Sequence, residues 1–465
     1  MKIQTLTLVL LTTLVSVCCQ EGKKNQNPVA INTIEVVAPF GTVNIKVPDF
    51  STTKEYPITQ YGAVKGNKEK ISEAIAIAIE EASKNGGGKV IIPEGEWITK
   101  KVHLKSNVNL HLNKNAVLLF SEDPKDYLPP VQSTWEGMEC YNYSPLIYAF
   151  EAENIAITGE GQLRAKMGIW QKWFARPKAH MESLKRLYNL AAQNVPVEER
   201  QMVNDSANFR PQFIQFNRCN NILIEGISIR NSPFWVIHPF LSKNIVIRDI
   251  DVYAHGHNND GVDPEMSQNI LIENCTFDQG DDAIALKAGR NQDAWRLDTP
   301  TKNVIIRNCL VKNGHQLLAI GSELSGGIEN VYMENCRVED NAKLNHLLFI
   351  KTNERRGGYV KNIFLKNINA GKIDQGILGV ETDVLYQWRD LVPTYERKLT
   401  SIENIYLEDV KASEVKFISR ILGNEELPVK DVFMKNITSN IISDQKHIHK
   451  NIQNFKSEID SGENL

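Results

Sequence analysis

The chain has 465 residues, of which 42% are hydrophobic and 23% are charged, and its net charge is −3. This is the composition of an ordinary soluble globular protein, and the charge predicts no nucleic-acid partner, since any anionic partner would need a local basic patch. The length alone indicates two or three domains, unless one repeat runs through the chain and its stacked units share a single core.

The N-terminal residues MKIQTLTLVLLTTLVSVCCQ form a short apolar run that begins after a lysine and ends at two cysteines. The run is too short to span a bilayer and predicts a secretory signal over residues 1–19. We therefore expect an exported protein, located in the periplasm, on the cell surface or in the medium. A cysteine at the end of such a run is also typical of bacterial lipoproteins, so a lipid anchor on Cys18 or Cys19 and simple secretion both stay open.

The next segments predict a linker followed by a cap. Residues 20–55 are interpreted as a linker or N-terminal extension. An amphipathic helix is predicted over roughly residues 70–84, and it ends at the glycine run 86–88 before a strand begins. We interpret this helix as an N-terminal cap, because an uncovered coil would expose strand edges.

A recurring phrase, an asparagine followed by alternating apolar and polar residues, runs along most of the chain. It begins at Asn107, Asn154, Asn221, Asn244, Asn269, Asn303, Asn330, Asn362 and Asn404, with a degraded copy at Asp431. Such alternation is the period of a half-buried strand, and single strands of this kind bury their inner faces only by stacking in successive coils. The repeat predicts an all-β fold, a right-handed parallel β-helix over residues 56–445, with a polar tail at 446–465.

Five cysteines follow the predicted signal, an odd number that does not indicate a disulfide framework. Cys275, Cys309 and Cys336 occupy the same place in three copies of the repeat, which predicts a buried column. No CxxC pair and no cluster of histidine and cysteine indicates a metal site, so we expect neither a metal nor a cofactor.

One stretch interrupts the repeat, because the copies at Asn154 and Asn221 lie 67 residues apart. We predict a partly helical insertion at about 166–208, with Trp170, Trp173 and Phe174 near its start. Insertions in solenoids tend to collect on one face, often the binding face, and this one favours a cleft that is blocked at one end. The aromatic residues either pack the insertion onto the solenoid or stack against sugars, and both interpretations stay open.

Carboxylates from two successive coils are predicted to meet on one face. Asp260 precedes Asp281 by 21 residues, which is one coil, so stacking would place it beside the pair Asp281 and Asp282; His315 follows one coil later. Neighbouring strand residues point to opposite faces, so both aspartates face outward only if the backbone turns, which Gly280 permits.

This crowding suits glycoside hydrolysis. Crowded carboxyl groups resist simultaneous ionisation, and inversion needs one protonated and one ionised carboxyl group about 6.5–9.5 Å apart. For Asp281 and Asp282 alone, a calcium site or a solvated acidic turn is the alternative.

Four short motifs in order, N-x-D-G-x-D at 258–263, G-D-D at 280–282, G-H at 314–315 and I-K at 350–351, resemble the polygalacturonase family, glycoside hydrolase family 28. The resemblance covers roughly residues 56–440 and favours the bacterial exo-acting members. It implies that Asp281 is the general acid and that Asp260 and Asp282 hold and activate water. It also implies that His315 tunes the acid and that Lys351 binds a sugar carboxylate.

Two positions depart from the family pattern. Phe349 stands where an arginine is usual, and Gln316 stands where a glycine is usual. The cationic role of the missing arginine passes to other residues or the substrate differs from plain polygalacturonate. The candidate substrate-binding residues are Lys351, Arg290, Lys287, Asn258 and Arg355. The cations among them, with the nearby Arg356, suit a uronate carboxylate.

We therefore predict a monomeric, inverting hydrolase that removes galacturonosyl residues from the ends of pectic polysaccharides or oligosaccharides of cell walls. Three alternatives stay open. They are a rhamnogalacturonan hydrolase or rhamnohydrolase of the same family, a calcium-dependent pectate lyase on the same solenoid, and a non-catalytic glycan-binding solenoid.

Overall fold

A computed structural model describes residues 29–385 and 396–459 of the chain. The predicted signal, with Cys18 and Cys19, lies outside the described residues. Among the residues that are described, no helix is long and apolar enough to cross a membrane.

The structure confirms the predicted right-handed parallel β-helix, since strands of successive coils pair in parallel along three faces. The face that carries the candidate site is named the cleft sheet. Its strands are Val102–His103, Ile147–Phe150, Ile214–Asn217, Ile237–Phe240, Ile284–Leu286, Gln316–Gly321 and His346–Lys351.

The second face is named the asparagine sheet, because most of its strands begin around the repeated asparagine. Its strands are Glu55–Pro57, Gly88–Ile92, Val108–Leu112, Glu153–Gly159, Asn220–Glu225, Lys243–Arg248, Gln268–Glu273, Thr301–Arg307 and Ile328–Glu334. The third sheet contains Gly95–Thr99, Ala116–Phe120, Gln162–Ala165, Ser228–Arg230, Asp251–Ala254, Thr276–Gln279, Leu310–Asn313 and Arg337–Val338. The last coils consist of Tyr359–Glu381, Ser401–Leu422, Val429–Ile442, His447–Lys450 and Ile452–Ile459.

The repeated asparagines form the corner of each coil. From Asn154 to Asn404 they have φ angles between 54° and 59°, a left-handed conformation that asparagine tolerates better than most residues. Their side chains also bond from coil to coil. The Nδ2 of Asn303 donates to the Oδ1 of Asn269 at 3.0 Å, and the Nδ2 of Asn330 donates to the Oδ1 of Asn303 at 3.1 Å. The sequence pattern therefore reflects a ladder of corner residues.

The interior is filled by apolar residues that stack in register. Ile270, Val304, Val331 and Ile363 pair in succession along the asparagine sheet, and each is fully buried. Cys275, Cys309 and Cys336 are buried and free. This continuous core explains why a chain of this length forms one solenoid and not several domains.

The N-terminal end of the solenoid is covered by helix α1, Lys68–Lys84, which confirms the predicted cap. The side chain of Asn67 accepts a hydrogen bond from the backbone N–H of Lys70 at 3.1 Å and so caps the first turn. The buried face of α1 includes Ile71, Ile75 and Ile79, which join the core cluster of the solenoid.

Residues 20–55 were predicted as a linker or extension, but Ala30–Ala38 and Gly41–Asp49 form an antiparallel hairpin. Its apolar side chains pack on the outer face of the asparagine sheet, where that face is itself apolar. The buried contacts join Val43, Ile45 and Val47 to Leu223, Val246 and Leu271. Residues 44–47 alternate like the repeat phrase, a local strand signal that the prediction of a linker did not use.

The predicted polar tail at 446–465 is also corrected over its described residues, 446–459. His447–Lys450 and Ile452–Ile459 continue the coils by pairing with Ser401–Leu422 and Val429–Ile442. Asn451 has a φ of 53° and acts as one more corner asparagine. Because the side chains around it are mostly polar and half-exposed, the sequence pattern resembled a tail.

The insertion contains α2 (Gly168–Lys172), α3 (Lys178–Ala192) and a short 3₁₀ helix, Val197–Glu199. A second excursion, the hairpin of Val131–Trp135 and Met138–Asn142, was not predicted. We name it the wall hairpin. Its Trp135, Met138 and Cys140 form one apolar cluster with Leu184, Leu187 and Tyr188 of α3.

The tryptophans at the start of the insertion pack and do not face a substrate. Trp170 is fully buried, and its ring lies 5.5 Å from that of Tyr127. Trp173 is 9% exposed, with its ring 5.5 Å from that of Tyr143. Phe174 is half-buried and lies 5.0 Å from the guanidinium of Arg210. The packing interpretation therefore holds for both tryptophans.

Candidate active site

A surface cavity of about 340 Å³ lies over the cleft sheet. Its lining brings together five residues that the sequence analysis selected from four separate coils. They are Asp260, Asp281, Asp282, His315 and Lys351.

The coil register explains this convergence. Val262 forms parallel bridges with Ile237 and Ile284, and the backbone N–H of Gly261 donates to the carbonyl of Asp282 at 3.0 Å. Asp260 therefore lies one rung before Asp282. The backbone N–H of His315 in turn donates to the carbonyl of Asp281 at 2.8 Å, which places His315 one rung later.

Gly280 was predicted to permit a turn before the aspartate pair, but its φ is not positive, and the structure instead requires a glycine there because of close packing. A Cβ atom on Gly280 would lie 2.5 Å from the backbone nitrogen of Gly256. The backbone N–H of Gly280 donates to the carbonyl of Ala254 at 2.8 Å. The glycine is thus required by the approach of two adjacent coils, and both Asp281 and Asp282 line the cavity after it.

Asp281 and His315 form a hydrogen-bonded pair, with 3.0 Å between Oδ1 and Nδ1. Burial acts to raise the pKa of Asp281, but the hydrogen bond from His315 and the charge of Lys351 outweigh it and hold that pKa below its usual value. The hydrogen bond to Asp281 raises the pKa of His315. In the ligand-free site the proton of this pair therefore resides on His315.

Asp260 and Asp282 have the opposite electrostatics. Burial and the nearby charge of Asp281 raise the pKa of Asp260 to about 8. Burial also raises the pKa of Asp282, although the Nζ of Lys351 lies 3.0 Å from its Oδ2. The crowding that was predicted to protonate the acid thus raises the pKa of these two carboxyl groups and not that of Asp281.

One oxygen of each of these two carboxyl groups is positioned for a further ligand. The Oδ1 atoms of Asp260 and Asp282 are buried and have no hydrogen-bond partner among the described residues. Both residues line the cavity. Two buried acceptors beside one cavity suit the binding of a water molecule, because buried polar atoms require partners.

Lys287 was predicted to bind substrate, but the structure assigns its charge to neighbouring carboxylates. It is 3% exposed, and its Nζ lies 3.5 Å from both Asp260 Oδ2 and Asp263 Oδ1 and 3.4 Å from Glu323 Oε2. The same atom lies 4.5 Å from the ring centre of Trp235. Lys287 lines the cavity floor and stabilises the buried acids, a role that residue type alone does not indicate.

Arg290 and Asn258 also line the cavity but have protein partners. Arg290 is 2% exposed, and its Nη2 lies 3.3 Å from Glu136 Oε2 and is also paired with Glu323. The Oδ1 of Asn258 accepts a hydrogen bond from the Nη2 of Arg210 at 3.1 Å. Their direct binding of substrate is therefore not supported by these contacts.

Arg355 and Arg356 lie outside the lining of this cavity. The backbone N–H of Arg355 donates a hydrogen bond to Asn353 Oδ1, and Arg355 forms a parallel β-bridge with Lys398. Arg356 is 3% exposed, and its Nε donates to the carbonyl of Ser322 at 2.7 Å. Sequence proximity to Lys351 suggested a shared role, but the chain turns away after that strand.

Phe349, at the position of the missing arginine, is 8% exposed and stacks on His346, with 4.6 Å between ring centres and 8° between planes. Within the cleft sheet it pairs with Ala319. Lys351 keeps its ammonium group at the cavity.

The carboxylates and the histidine could also be read as metal ligands, since donor atoms of Asp281, Asp282 and His315 lie within 4.8 Å of one another. Calcium, which the pectate lyase alternative needs, prefers six to eight oxygen ligands. This set offers two carboxylates and an imidazole, and the ammonium group of Lys351 is already bound to one of them. The donor set therefore does not fit calcium.

The wall hairpin occupies the floor of the cleft on the side of the earlier coils. The carbonyl of Gln132 accepts a hydrogen bond from Asn217 Nδ2 at 3.1 Å, and the Oγ of Ser133 donates to Gln215 Oε1 at 2.9 Å. Asn217 and Gln215 belong to the cleft-sheet strand Ile214–Asn217. A polymer chain cannot lie on this part of the sheet because the wall hairpin covers it.

The tip of the wall hairpin reaches the cavity. Glu136 lines it, and the carbonyl of Gly137 accepts a hydrogen bond from the backbone N–H of Arg290 at 3.0 Å. Arg176, from the insertion, lines the same end of the cavity. The sequence analysis missed Glu136 and Arg176, and Glu-Gly is not among the dipeptides that strongly indicate a two-residue hairpin.

The wall hairpin is also bound to the opposite edge of the cleft. Helix α4, Asn291–Leu297, follows the cleft-sheet strand Ile284–Leu286, whereas the insertion precedes the strand Ile214–Asn217. Because these strands are parallel, α4 and the insertion lie at opposite edges of the cleft sheet. The Oδ2 of Asp293 in α4 accepts hydrogen bonds from the backbone N–H of Glu139 at 2.9 Å and from the Nη1 of Arg200 at 2.6 Å. Asp293 and Arg200 are 0% and 1% exposed. This buried contact closes the cleft on one side.

A cleft that brings carboxyl groups from adjacent rungs together is an arrangement that suits glycoside hydrolysis. The chain belongs to the glycosyl hydrolases family 28, whose profile matches residues 196–459, and it is therefore a glycoside hydrolase.

Named relatives share most of the chain. The solved structure of a hyperthermoactive exopolygalacturonase from Thermotoga maritima is 36% identical and covers 88% of this chain and 91% of its own, with a TM-score of 0.79. A probable polygalacturonase from Vitis vinifera is 28% identical over 84% of this chain and 75% of the relative. An exo-poly-alpha-D-galacturonosidase from Dickeya chrysanthemi is 26% identical over 66% of this chain and 55% of the relative.

Proposed function

We propose that this protein is an inverting exo-hydrolase of pectic galacturonan, which removes the terminal galacturonosyl residue by cleaving its α-linkage. Inversion follows from a water held by Asp260 and Asp282, although donor oxygens of Asp281 and Asp282 lie within 4.8 Å of each other, closer than the carboxyl spacing of about 6.5–9.5 Å that is typical of inverting enzymes. The observation that carries the proposal is a cavity lined by three aspartates and closed on one side by the wall hairpin. Family membership and the names of the similar proteins support the substrate class.

Asp260 and Asp282 hold the attacking water in this mechanism. Both residues line the cavity, on adjacent rungs, and their buried Oδ1 atoms have no hydrogen-bond partner among the described residues. The pKa of Asp260 is raised to about 8, so near neutral pH it carries a proton and donates a hydrogen bond to the water. Asp282, whose raised pKa is opposed by the charge of Lys351, ionises and accepts the proton that the water loses.

Asp281 delivers the proton to the leaving oxygen. In the ligand-free site that proton lies on His315, because the pKa of Asp281 is lowered by the hydrogen bond from His315. An incoming uronate carboxylate adds negative charge and removes water beside Asp281. Both effects raise the pKa of a carboxyl group and favour transfer of the proton from His315 to Asp281 before cleavage.

Lys351 supports the substrate class through its charge. Its ammonium group borders the cavity and lies 3.0 Å from Asp282 Oδ2. A uronate carboxylate placed beside the scissile bond meets this cation. The cavity also contains several carboxylates, which would repel an anionic sugar, so the charge of Lys351 favours the binding of such a sugar beside the scissile bond.

The compartment of the enzyme belongs to the same proposal. Polymeric pectin lies outside the cell, and the apolar run over residues 1–19 matches an export signal. We propose export to the periplasm, the surface or the medium, with Cys18 or Cys19 as the acceptor if a lipid anchor is present.

The test is product analysis with homogalacturonan and digalacturonate as substrates. We expect galacturonate monosaccharide as the first and only small product, released with inverted anomeric configuration in NMR spectra of the early reaction. Mid-sized products without monosaccharide would overturn the exo mode. Release of sugar from rhamnogalacturonan fragments, with none from galacturonan, would show that the proposed substrate is wrong.

The variant Asp281→Asn separates hydrolysis from binding. We expect kcat to fall by about 10³-fold or more, because the amide cannot supply a proton, while calorimetry still detects oligogalacturonate binding. The matched control is Asp251→Asn, a partly exposed aspartate of the third sheet that pairs with Arg230, and its kcat should stay within about twofold of the parent. Undiminished hydrolysis by Asp281→Asn would refute the role of the acid.

A further inference from the structure

We propose that Glu136 and Arg176 recognise the non-reducing end of the substrate. Glu136 accepts a hydrogen bond from the free 4-hydroxyl group of the terminal galacturonosyl residue, and Arg176 pairs with the carboxylate on C5 of the same ring. The inference rests on the proposed exo-hydrolysis and names the groups that make it end-specific.

Both side chains lie where a terminal sugar meets the closed end of the cavity. Glu136 is the residue at the tip of the wall hairpin, is 5% exposed and lines the cavity. Arg176 follows α2 in the insertion and lines the same cavity, with its Nη2 3.9 Å from Glu136 Oε1. The wall hairpin and the insertion, which are not part of the repeat, thus place the carboxylate of Glu136 and the guanidinium of Arg176 side by side.

The position of Glu136 is held from the other edge of the cleft. Arg290 pairs with Glu136 through its Nη2, and its backbone N–H donates to Gly137, the neighbour of Glu136. Arg290 itself is anchored by Glu323 and by the hydroxyl of Tyr188. A rigid acceptor gains specificity because little side-chain freedom is lost when the hydroxyl group binds.

The order of the catalytic groups orients the sugar toward this end. The leaving oxygen must lie at Asp281, whose partner His315 is on the later rung, while the water lies between Asp282 and Asp260, which is on the earlier rung. The departing chain therefore extends toward the later coils. The sugar that is released occupies the space between Asp260 and the wall hairpin.

The chemistry of galacturonan matches this pair of side chains. The 4-hydroxyl and the C5 carboxylate are on adjacent ring carbons, as Glu136 and Arg176 are adjacent in the cavity. Only the terminal residue has a free 4-hydroxyl, because in every internal residue O4 belongs to a glycosidic bond and carries no hydrogen. An ionised carboxylate is an acceptor only, so it binds the terminal hydroxyl and rejects the internal oxygen.

Two disaccharides test the role of Glu136. Saturated digalacturonate has the 4-hydroxyl, whereas the 4,5-unsaturated disaccharide produced by lyases lacks it and keeps the same glycosidic bond and carboxylates. We expect the parent enzyme to prefer the saturated substrate by at least about 100-fold in kcat/KM, because a site built to bond a hydroxyl group discriminates strongly against its absence.

The variant Glu136→Ala should lower kcat/KM for the saturated disaccharide by about 10- to 100-fold and leave the unsaturated one within about threefold, so that the preference collapses. Glu136→Gln retains an acceptor oxygen and should recover part of the preference. The control Glu96→Gln alters an exposed residue of the strand Gly95–Thr99 and should leave the preference unchanged.

Arg176→Leu provides the contrasting pattern. Both disaccharides retain the C5 carboxylate, so kcat/KM should fall by about tenfold or more for each and the preference should persist. If Glu136→Ala lowers kcat/KM equally for both disaccharides, so that the preference is unchanged, the proposed recognition of the hydroxyl group is wrong. A parent enzyme without activity on any galacturonan would instead refute the proposed function, and this inference with it.

Discussion

The three aspartates of the cavity are the same residue type, yet their neighbours give them different ionisation. Burial raises the pKa of Asp260 to about 8, and it also raises the pKa of Asp282. The hydrogen bond from His315 reverses the effect of burial for Asp281, whose pKa is lowered. At the scale of the residue, the imidazole of His315 therefore makes Asp281 the carboxyl group that exchanges a proton with a neighbouring side chain.

The substitution His315→Gln tests this arrangement through the pH dependence of kcat/KM. The pKa of His315 is raised, so the pair with Asp281 keeps its proton until the pH rises through that value. Without His315, the carboxyl group of Asp281 must keep the proton alone, and a carboxyl group loses it at lower pH. We expect the basic limb of the profile to move down by about one pH unit or more, and kcat to fall by about 10- to 100-fold. A basic limb that stays in place would contradict the pairing.

At the scale of the element, the wall hairpin converts a groove into a cavity. Its strands lie on the cleft sheet, its tip borders the catalytic cavity, and Asp293 of α4 binds it from the opposite edge. The ion pair of Asp293 with Arg200 is almost fully buried. Loss of one partner of such a pair leaves a buried charge, so this contact should control whether the cleft stays closed.

The substitution Asp293→Ala should destabilise the protein by about 3–5 kcal/mol and loosen the wall hairpin. Denaturant unfolding measures the first effect. Chromatography of the products from homogalacturonan measures the second, where oligosaccharides should join the monosaccharide. The control Glu182→Gln removes an exposed pair with Lys178 in α3 and should cost less than about 1 kcal/mol with unchanged products. Monosaccharide alone from Asp293→Ala would show that the closure does not depend on this contact.

At the scale of the whole molecule, each coil is stabilised by the coils next to it. The corner asparagines contribute twice, by adopting the left-handed conformation and by bonding to both neighbours. Since a solenoid has only such local contacts between coils, a defect in one corner affects the register of the coils that follow. The proposed catalytic residues come from several coils, so their spacing depends on that register.

Asn303 offers a test of the corner ladder, because it bonds to Asn269 on one side and to Asn330 on the other. The variant Asn303→Ala loses both hydrogen bonds and places alanine at a φ of 57°, so we expect a loss of about 2–4 kcal/mol in the free energy of unfolding. Asn303→Gly loses the same bonds without that strain and should be about 1–2 kcal/mol more stable than the alanine variant. Equal stability of the two variants would remove the conformational part of the explanation.

Several features were predictable because they repeat or follow local rules. The asparagine phrase predicted the solenoid, and the apolar spacing of α1 predicted its cap. The wall hairpin was missed because its two five-residue strands, Val131–Trp135 and Met138–Asn142, carry no copy of the phrase. Glu136 was missed with it, since a single acidic residue at a hairpin tip resembles any exposed turn residue.

The cations show the limit of residue type as evidence. Lys287 and Arg290 were predicted to bind substrate from their place after the aspartate pair, but both are buried and paired with Glu323. The partner Glu323 follows by more than thirty residues along the chain and one rung in the solenoid. Burial and pairing at that separation depend on which coils stack, which a pattern of residue types does not encode directly.

By itself, the sequence determined the solenoid, its family and the acidic residues that successive coils bring together, because the alternation and the repeat spacing are local properties of the chain. Only the tertiary structure decided which carboxyl group is ionised, which cations are buried and which end of the cleft is closed. Each of those outcomes depends on contacts between residues far apart in the chain, and their energies arise only when the excursions pack against the stacked coils.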